Sequence, residues 1–85
     1  MGQHAVNIAA PLDGEAVENY VNFNFSTTCS GGQHTVEWYL DGKQLGSATF
    51  YSHFSAQFAY KVASGKHEFT VKSSCGGNSV TFVVN

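Results

Sequence analysis

Cys29, His34 and Cys75 are the side chains whose types can do chemistry together. Two thiols and an imidazole are suitable zinc donors, and two thiols alone can close a disulfide. The spacing favours the disulfide. Zinc ribbons and fingers carry paired Cys-x2-Cys hooks, which this chain lacks, whereas a lone cysteine pair in a short chain reads as one bridge. Two reduced, buried thiols are the plain alternative. A bridge would encircle about 47 residues, and the chain-entropy relation then gives about 4 kcal/mol of stabilisation.

Catalysis needs more than these residues offer. A nucleophile requires a Ser or Cys, a His and an orienting acid gathered in one pocket. The acids are Asp13, Glu15, Glu18, Glu37, Asp41 and Glu68, several of them in or beside turn sequences. No Gly-x-Ser-x-Gly elbow, paired-carboxylate motif or phosphate-cradling loop is present. Gly31-Gly32 and Gly76-Gly77 read as tight loops flanking the cysteines. His53 and His67 read as strand residues with local hydrogen bonds. The expectation is therefore a protein that is not an enzyme and has no metal or other cofactor.

Sugar binding is the other chemistry in view. Outward aromatic rings stack on sugar CH faces while Asn and Gln side chains hydrogen-bond hydroxyls. Tyr39, beside Trp38 but of opposite parity, and Tyr51 are the candidate ligand-binding residues. Aromatics make up 14% of the chain, yet most share parity with core positions, where a small sandwich needs bulk.

The elements that must position these residues are strands, because the apolar positions recur with period two and no helix is called for. Val6 and Ile8 form a first strand that breaks at Ala10-Pro11-Leu12-Asp13-Gly14. Val21, Phe23 and Phe25 alternate with polar residues, and the same parity carries through Thr27 to Cys29. Val36, Trp38 and Leu40 face inward, with Glu37 and Tyr39 outward, and Asp41-Gly42 signals a hairpin into a short strand Lys43 to Leu45. Ser47 to His53 resists phasing and is expected to hold two short strands. Phe54, Phe58, Tyr60 and Val62 share a parity, as do His67, Phe69, Val71 and Ser73 after the turn Ala63-Ser64-Gly65. Val80, Phe82 and Val84 close the chain.

Seven or eight strands with the order Cys, Trp, Cys predict an all-β, immunoglobulin-like sandwich of two antiparallel sheets and one disulfide. In that topology the second and sixth strands lie in opposite sheets and bring Cys29 and Cys75 to one pole. The first strand and the Lys43 to Leu45 strand are expected to be sheet edges, open to strand addition.

Size and charge bound the partners. The 85 residues fit one domain, small enough to benefit from a covalent staple. Charged residues are 12% of the chain, with net charge -2 and no arginine, against the usual ~25%. Nucleic acid and anionic membranes need basic patches and are not expected partners. No apolar run approaches the ~18 residues of a membrane span, and Met1-Gly2-Gln3-His4 does not open a signal peptide. A disulfide-type pair then suggests a domain taken from a longer secreted chain, extracellular or periplasmic, monomeric in isolation. Its partners would be neighbouring domains, with a surface protein or glycan as the further option.

Several segments carry a family likeness: Ile8-x-x-Pro11-x-x-Gly14, Val36-x-Trp38-Tyr39-x-x-Gly42, Gly65-x-His67-x-Phe69-x-Val71 and Val80-x-Phe82-x-Val84. Together they resemble bacterial Ig-like domains, such as the small C-terminal β-sandwich of 1C-type penicillin-binding proteins and similar modules of surface-exposed bacterial proteins. The cysteine pair is not part of that pattern. The resemblance implies a non-catalytic module, a structural spacer or protein-interaction domain, with carbohydrate or cell-wall binding as the alternative. It carries over no active-site residue.

Overall fold

The computed structural model describes residues 5–85, so the reading of Met1 to His4 lies outside the described residues. Eight strands form two sheets: β1 (Val6–Ala10), β2 (Glu15–Val17), β3 (Tyr20–Thr28), β4 (His34–Leu40), β5 (Lys43–Phe50), β6 (His53–Lys61), β7 (Gly65–Ser73) and β8 (Gly76–Val84). One sheet has the order β1-β3-β6 and the other β2-β8-β7-β4-β5. The immunoglobulin-like sandwich expected from the strand pattern is what forms.

Period-two alternation decides the packing. Val21, Phe23, Phe25 and Thr27 from β3 meet Phe69 and Val71 from β7 and Val80, Phe82 and Val84 from β8, all of them buried. Phe23 is the centre, with ring centroids 4.6 Å from Phe69, 5.2 Å from Phe58 and 5.9 Å from Phe82. It ties both sheets through side chains that have no polar atoms to satisfy. Thr27 is the exception in this layer: it is buried and its Oγ1 finds no hydrogen-bond partner.

The sequence reading needs two corrections. Glu15–Val17 is a strand of its own, running parallel to β8 through Glu15↔Phe82 and Val17↔Val84. Three residues carry too little alternation to register as a strand, and the pairing arises only once the chain has crossed, between β1 and β2, from one sheet to the other. Ser47 to His53 does not hold two short strands: β5 runs on to Phe50 and β6 begins at His53. The reason is a bulge, since Trp38 pairs with Gly46 and Tyr39 with Gln44, leaving Leu45 extra. A bulge shifts the parity by one, so inward Leu45 is followed by inward Ala48 and Phe50 and no single phase fits. Trp38 faces inward but is half-buried at the margin of the core, packed on Phe25 and Phe54.

Gly46 explains how the indole lies there. A Cβ at that position would sit 2.5 Å from Trp38 Cζ2, so the ring rests directly on glycine backbone. At the β4–β5 hairpin, Asp41 and Gly42 both have positive φ, 53° and 84°. That is the two-residue turn anticipated from Asp-Gly, with a twist that matches the strands it joins.

β1 and β5 are sheet edges as expected, and β2 and β6 are the other two. β1 starts at Val6 opposite Thr27, while β8 ends at Val84 opposite Gly65. The chain therefore enters the sandwich at the pole of the cysteines and leaves at the other pole, along a body whose longest extent is 41 Å.

Candidate functional site

The chemistry-bearing residues gather at the two poles and on one sheet face. At the first pole, Cys29 follows β3 and Cys75 follows β7, in opposite sheets, and the two are disulfide-bonded with Cα atoms 5.9 Å apart. Cys29 is buried, and Cys75 is exposed. The thiols that zinc would need are thus consumed.

His34 is at the same pole but acts as a loop tie. Its Nε2 lies 2.5 Å from the Gly31 carbonyl and its Nδ1 2.9 Å from Ser74 Oγ. A carbonyl only accepts, so Nε2 carries the proton and the Ser74 hydroxyl donates to Nδ1. The imidazole thereby joins the Ser30-Gly31-Gly32 loop to the β7–β8 turn. Among the described residues no cluster of His, Cys, Asp and Glu has the form of a metal site.

The second pole has a tie that the sequence reading assigned no site. His67 Nδ1 lies 2.6 Å from Asp41 Oδ2, and its Nε2 lies 2.7 Å from the Ala63 carbonyl. Asp41 Oδ1 accepts the Glu68 backbone N–H at 2.8 Å, and the Asp41 N–H donates to the Glu68 carbonyl at 2.8 Å. One carboxylate and one imidazole therefore fasten the β4–β5 turn to the start of β7.

The hydrogen bond to Asp41 raises the His67 pKa above its ordinary 6.5, with burial opposing. For Asp41, burial alone would raise the pKa; the His67 hydrogen bond, the Glu68 N–H and the imidazolium charge together outweigh it, and the pKa falls below 3.8. The His67 contribution is fully present below pH 6.5 and is lost as pH rises through the raised folded value. The Asp41 contribution is present above pH 3.8 and is lost as pH falls through the lowered folded value. Thermal stability from this pair is expected to be greatest between these limits and to decline from pH 6.5 upward. Melting curves across that range check it: Asp41→Asn, which tolerates the positive φ, should flatten the decline. A slope as steep as the parent's would remove the pair as its cause.

The Tyr39 face is the third location. Tyr39 points outward from the five-stranded sheet, and its hydroxyl donates to Glu37 Oε1 at 2.5 Å. Lys72 Nζ lies 5.4 Å from the ring centroid, a cation–π distance. A shallow cleft of about 300 Å³ is lined by Tyr39, Gly42, Glu68, Thr70 and Lys72. One face of the ring is already occupied by an ammonium, which a stacking sugar would have to displace.

Tyr51 is elsewhere. It is 70% exposed and sits in the β5–β6 turn at the disulfide pole, where Cys29 N–H donates to the Ser52 carbonyl. Tyr39 lies five residues along β4 from His34, which pairs with Phe50, so at ~3.4 Å per residue roughly 17 Å separates the two positions. They do not form one platform. Sequence reasoning passed over Tyr20, 66% exposed, beside a groove of about 370 Å³ that includes Pro11, Glu15, Glu18 and Asn22 in its wall. Its outward parity against Val21 was the available signal.

Two sheets, a Trp on β4 and a disulfide joining β3 to β7 across the sheets define an immunoglobulin-like module. The chain belongs to the bacterial Ig domain family, whose sequence profile matches residues 5–71, which bears out the resemblance to bacterial Ig domains. Among solved structures it is similar to the fibronectin(III)-like modules of Clostridium thermocellum CbhA. That likeness has a TM-score of 0.68 and 22% identity, over 94% of this chain and 96% of that one. At this identity the likeness establishes the fold alone. Comparison with curated protein sequences finds no match.

Proposed function

We propose that this chain is a non-catalytic, extracellular or periplasmic Ig-like domain that spaces or links neighbouring domains of a longer protein. The observation that carries this reading is the placement of the strand ends: β1 enters at the disulfide pole and β8 leaves at the opposite pole. Domains joined through such ends run in line, each adding a body of 41 Å.

The reactive side chains support the same reading, because they are spent on holding the poles. The disulfide and His34 fasten one, and Asp41 with His67 fastens the other. Asp13 accepts both the backbone N–H and the hydroxyl of Thr81, fixing the chain where it crosses between the sheets. The disulfide also favours an oxidising, extracytoplasmic compartment.

Carbohydrate binding is the reading to beat, and the exposure of Tyr51 is what favours it. The isolated domain is expected to show no binding on a glycan array or to peptidoglycan fragments at about millimolar concentration, a Kd limit worth only about 4 kcal/mol. Sugar binding that Tyr39→Ala or Tyr51→Ala abolishes with an unchanged melting temperature would replace the spacer by a binding module.

A further inference from the structure

We propose that β6 is a self-pairing edge: two copies of the domain join along His53–Lys61, antiparallel, about a two-fold axis at Gln57. The two three-stranded sheets would then fuse into one sheet of six strands. Sequence alone points to a monomer, and the inference holds whether the domain is a spacer or a sugar binder.

A sheet edge presents a row of unpaired N–H and C=O groups, and soluble proteins blunt such edges with Pro, charge, bulges or shortness. Three of the four edges here are blunted. β1 is five residues long, irregular between Ile8 and Ala10, and followed by Pro11. β2 has three residues and begins on Glu15. β5 begins on Lys43 and is bulged at Leu45. β6 has none of these devices: its nine residues pair with β3 in unbroken register, without Pro, Gly or bulge, and its one Lys, Lys61, stands at the end.

The strand is also complementary to itself. With Gln57 on the axis, residues whose numbers sum to 114 face each other, which uses the whole strand and keeps inward residues opposite inward ones. On the inner side Phe54 meets Tyr60 of the second copy, and Ala56 meets Phe58. These side chains lie along the open flank of the sandwich: Phe54, Ala56 and Phe58 are only partly buried and Tyr60 is 42% exposed. On the outer side Ser55 meets Ala59 and Gln57 meets Gln57, uncharged pairs, and the one charged residue of the strand, Lys61, meets His53 only at the two ends of the ladder. A two-fold contact of this kind closes on itself and stops at the dimer.

The test is sedimentation velocity on the full chain from about 10 µM to about 1 mM, the range that resolves a Kd worth ~4 to 7 kcal/mol. The parent is expected to rise from 9.1 kDa to about twice that mass. Gln57→Lys sets two ammonium groups directly opposite each other and should hold the mass at the monomer value with an unchanged melting temperature, since the site is exposed. Thr49→Lys, on the outward side of the β5 edge, should associate like the parent. The double variant Ser55→Lys/Ala59→Glu should also associate, because the register pairs each new charge with its opposite. A parent that stays at 9.1 kDa throughout, or a Gln57→Lys chain that doubles as the parent does, overturns the proposal. A double variant that stays monomeric overturns the register.

Discussion

Phe23→Ala is expected to lower the unfolding free energy by about 3 to 5 kcal/mol, out of the ~5 to 10 kcal/mol usual for a domain of this size. Phe23 is fully buried. It belongs to the three-stranded sheet, while Phe69 and Phe82 on its far side belong to the five-stranded sheet. Truncation leaves a cavity at the joint between the layers, and the strands on either side are held by their own ladders and cannot close it. Urea unfolding followed by tryptophan fluorescence reads the effect, because Trp38 packs on Phe25, Phe25 lies beside Phe69, and Phe69 touches Phe23. Phe23→Leu keeps most of the volume and should cost less than about 1.5 kcal/mol. Equal losses for the two variants would show that the cavity is not the cause.

Removing the disulfide is expected to cost about 2 to 5 kcal/mol. The two cysteines are 46 positions apart, so the bridge restricts a large loop of the unfolded chain. It also holds together two sheets that share no hydrogen-bonded ladder. The exposed Cys75 gives a reductant access, and unfolding midpoints with and without reductant should separate by this amount. The variant with both cysteines replaced by Ala should match the reduced parent. An oxidised sample whose intact mass is two hydrogens heavier than the bridged form would remove the premise.

The alternation Val21, Phe23, Phe25 determined by itself that a strand with one buried face stands there, because a period of two leaves no other regular structure. Asp41-Gly42 likewise determined its turn, since both positions need a left-handed backbone that these residues accept. The Cys, Trp, Cys order placed the sulfurs at the ends of strands in opposite sheets, so the bridge was legible, and the family resemblance was legible separately in segments such as Val36-x-Trp38-Tyr39-x-x-Gly42. β2 was not, because its stability comes from β8, a strand more than sixty positions away in sequence. The bulge at Leu45 was hidden for a related reason: an extra residue changes the phase, and only the partner strand shows which residue is extra.

The ties at the poles belong to the tertiary structure altogether. His67 and Asp41 are 26 positions apart and His34 and Ser74 are 40 apart, and no local pattern marks a hydrogen bond between residues brought together only when the sheets stack. Which strands become edges was half legible. Pro11 and Lys43 marked β1 and β5, whereas β6 reads like any interior strand, and only the sheet order leaves its outer side unpaired.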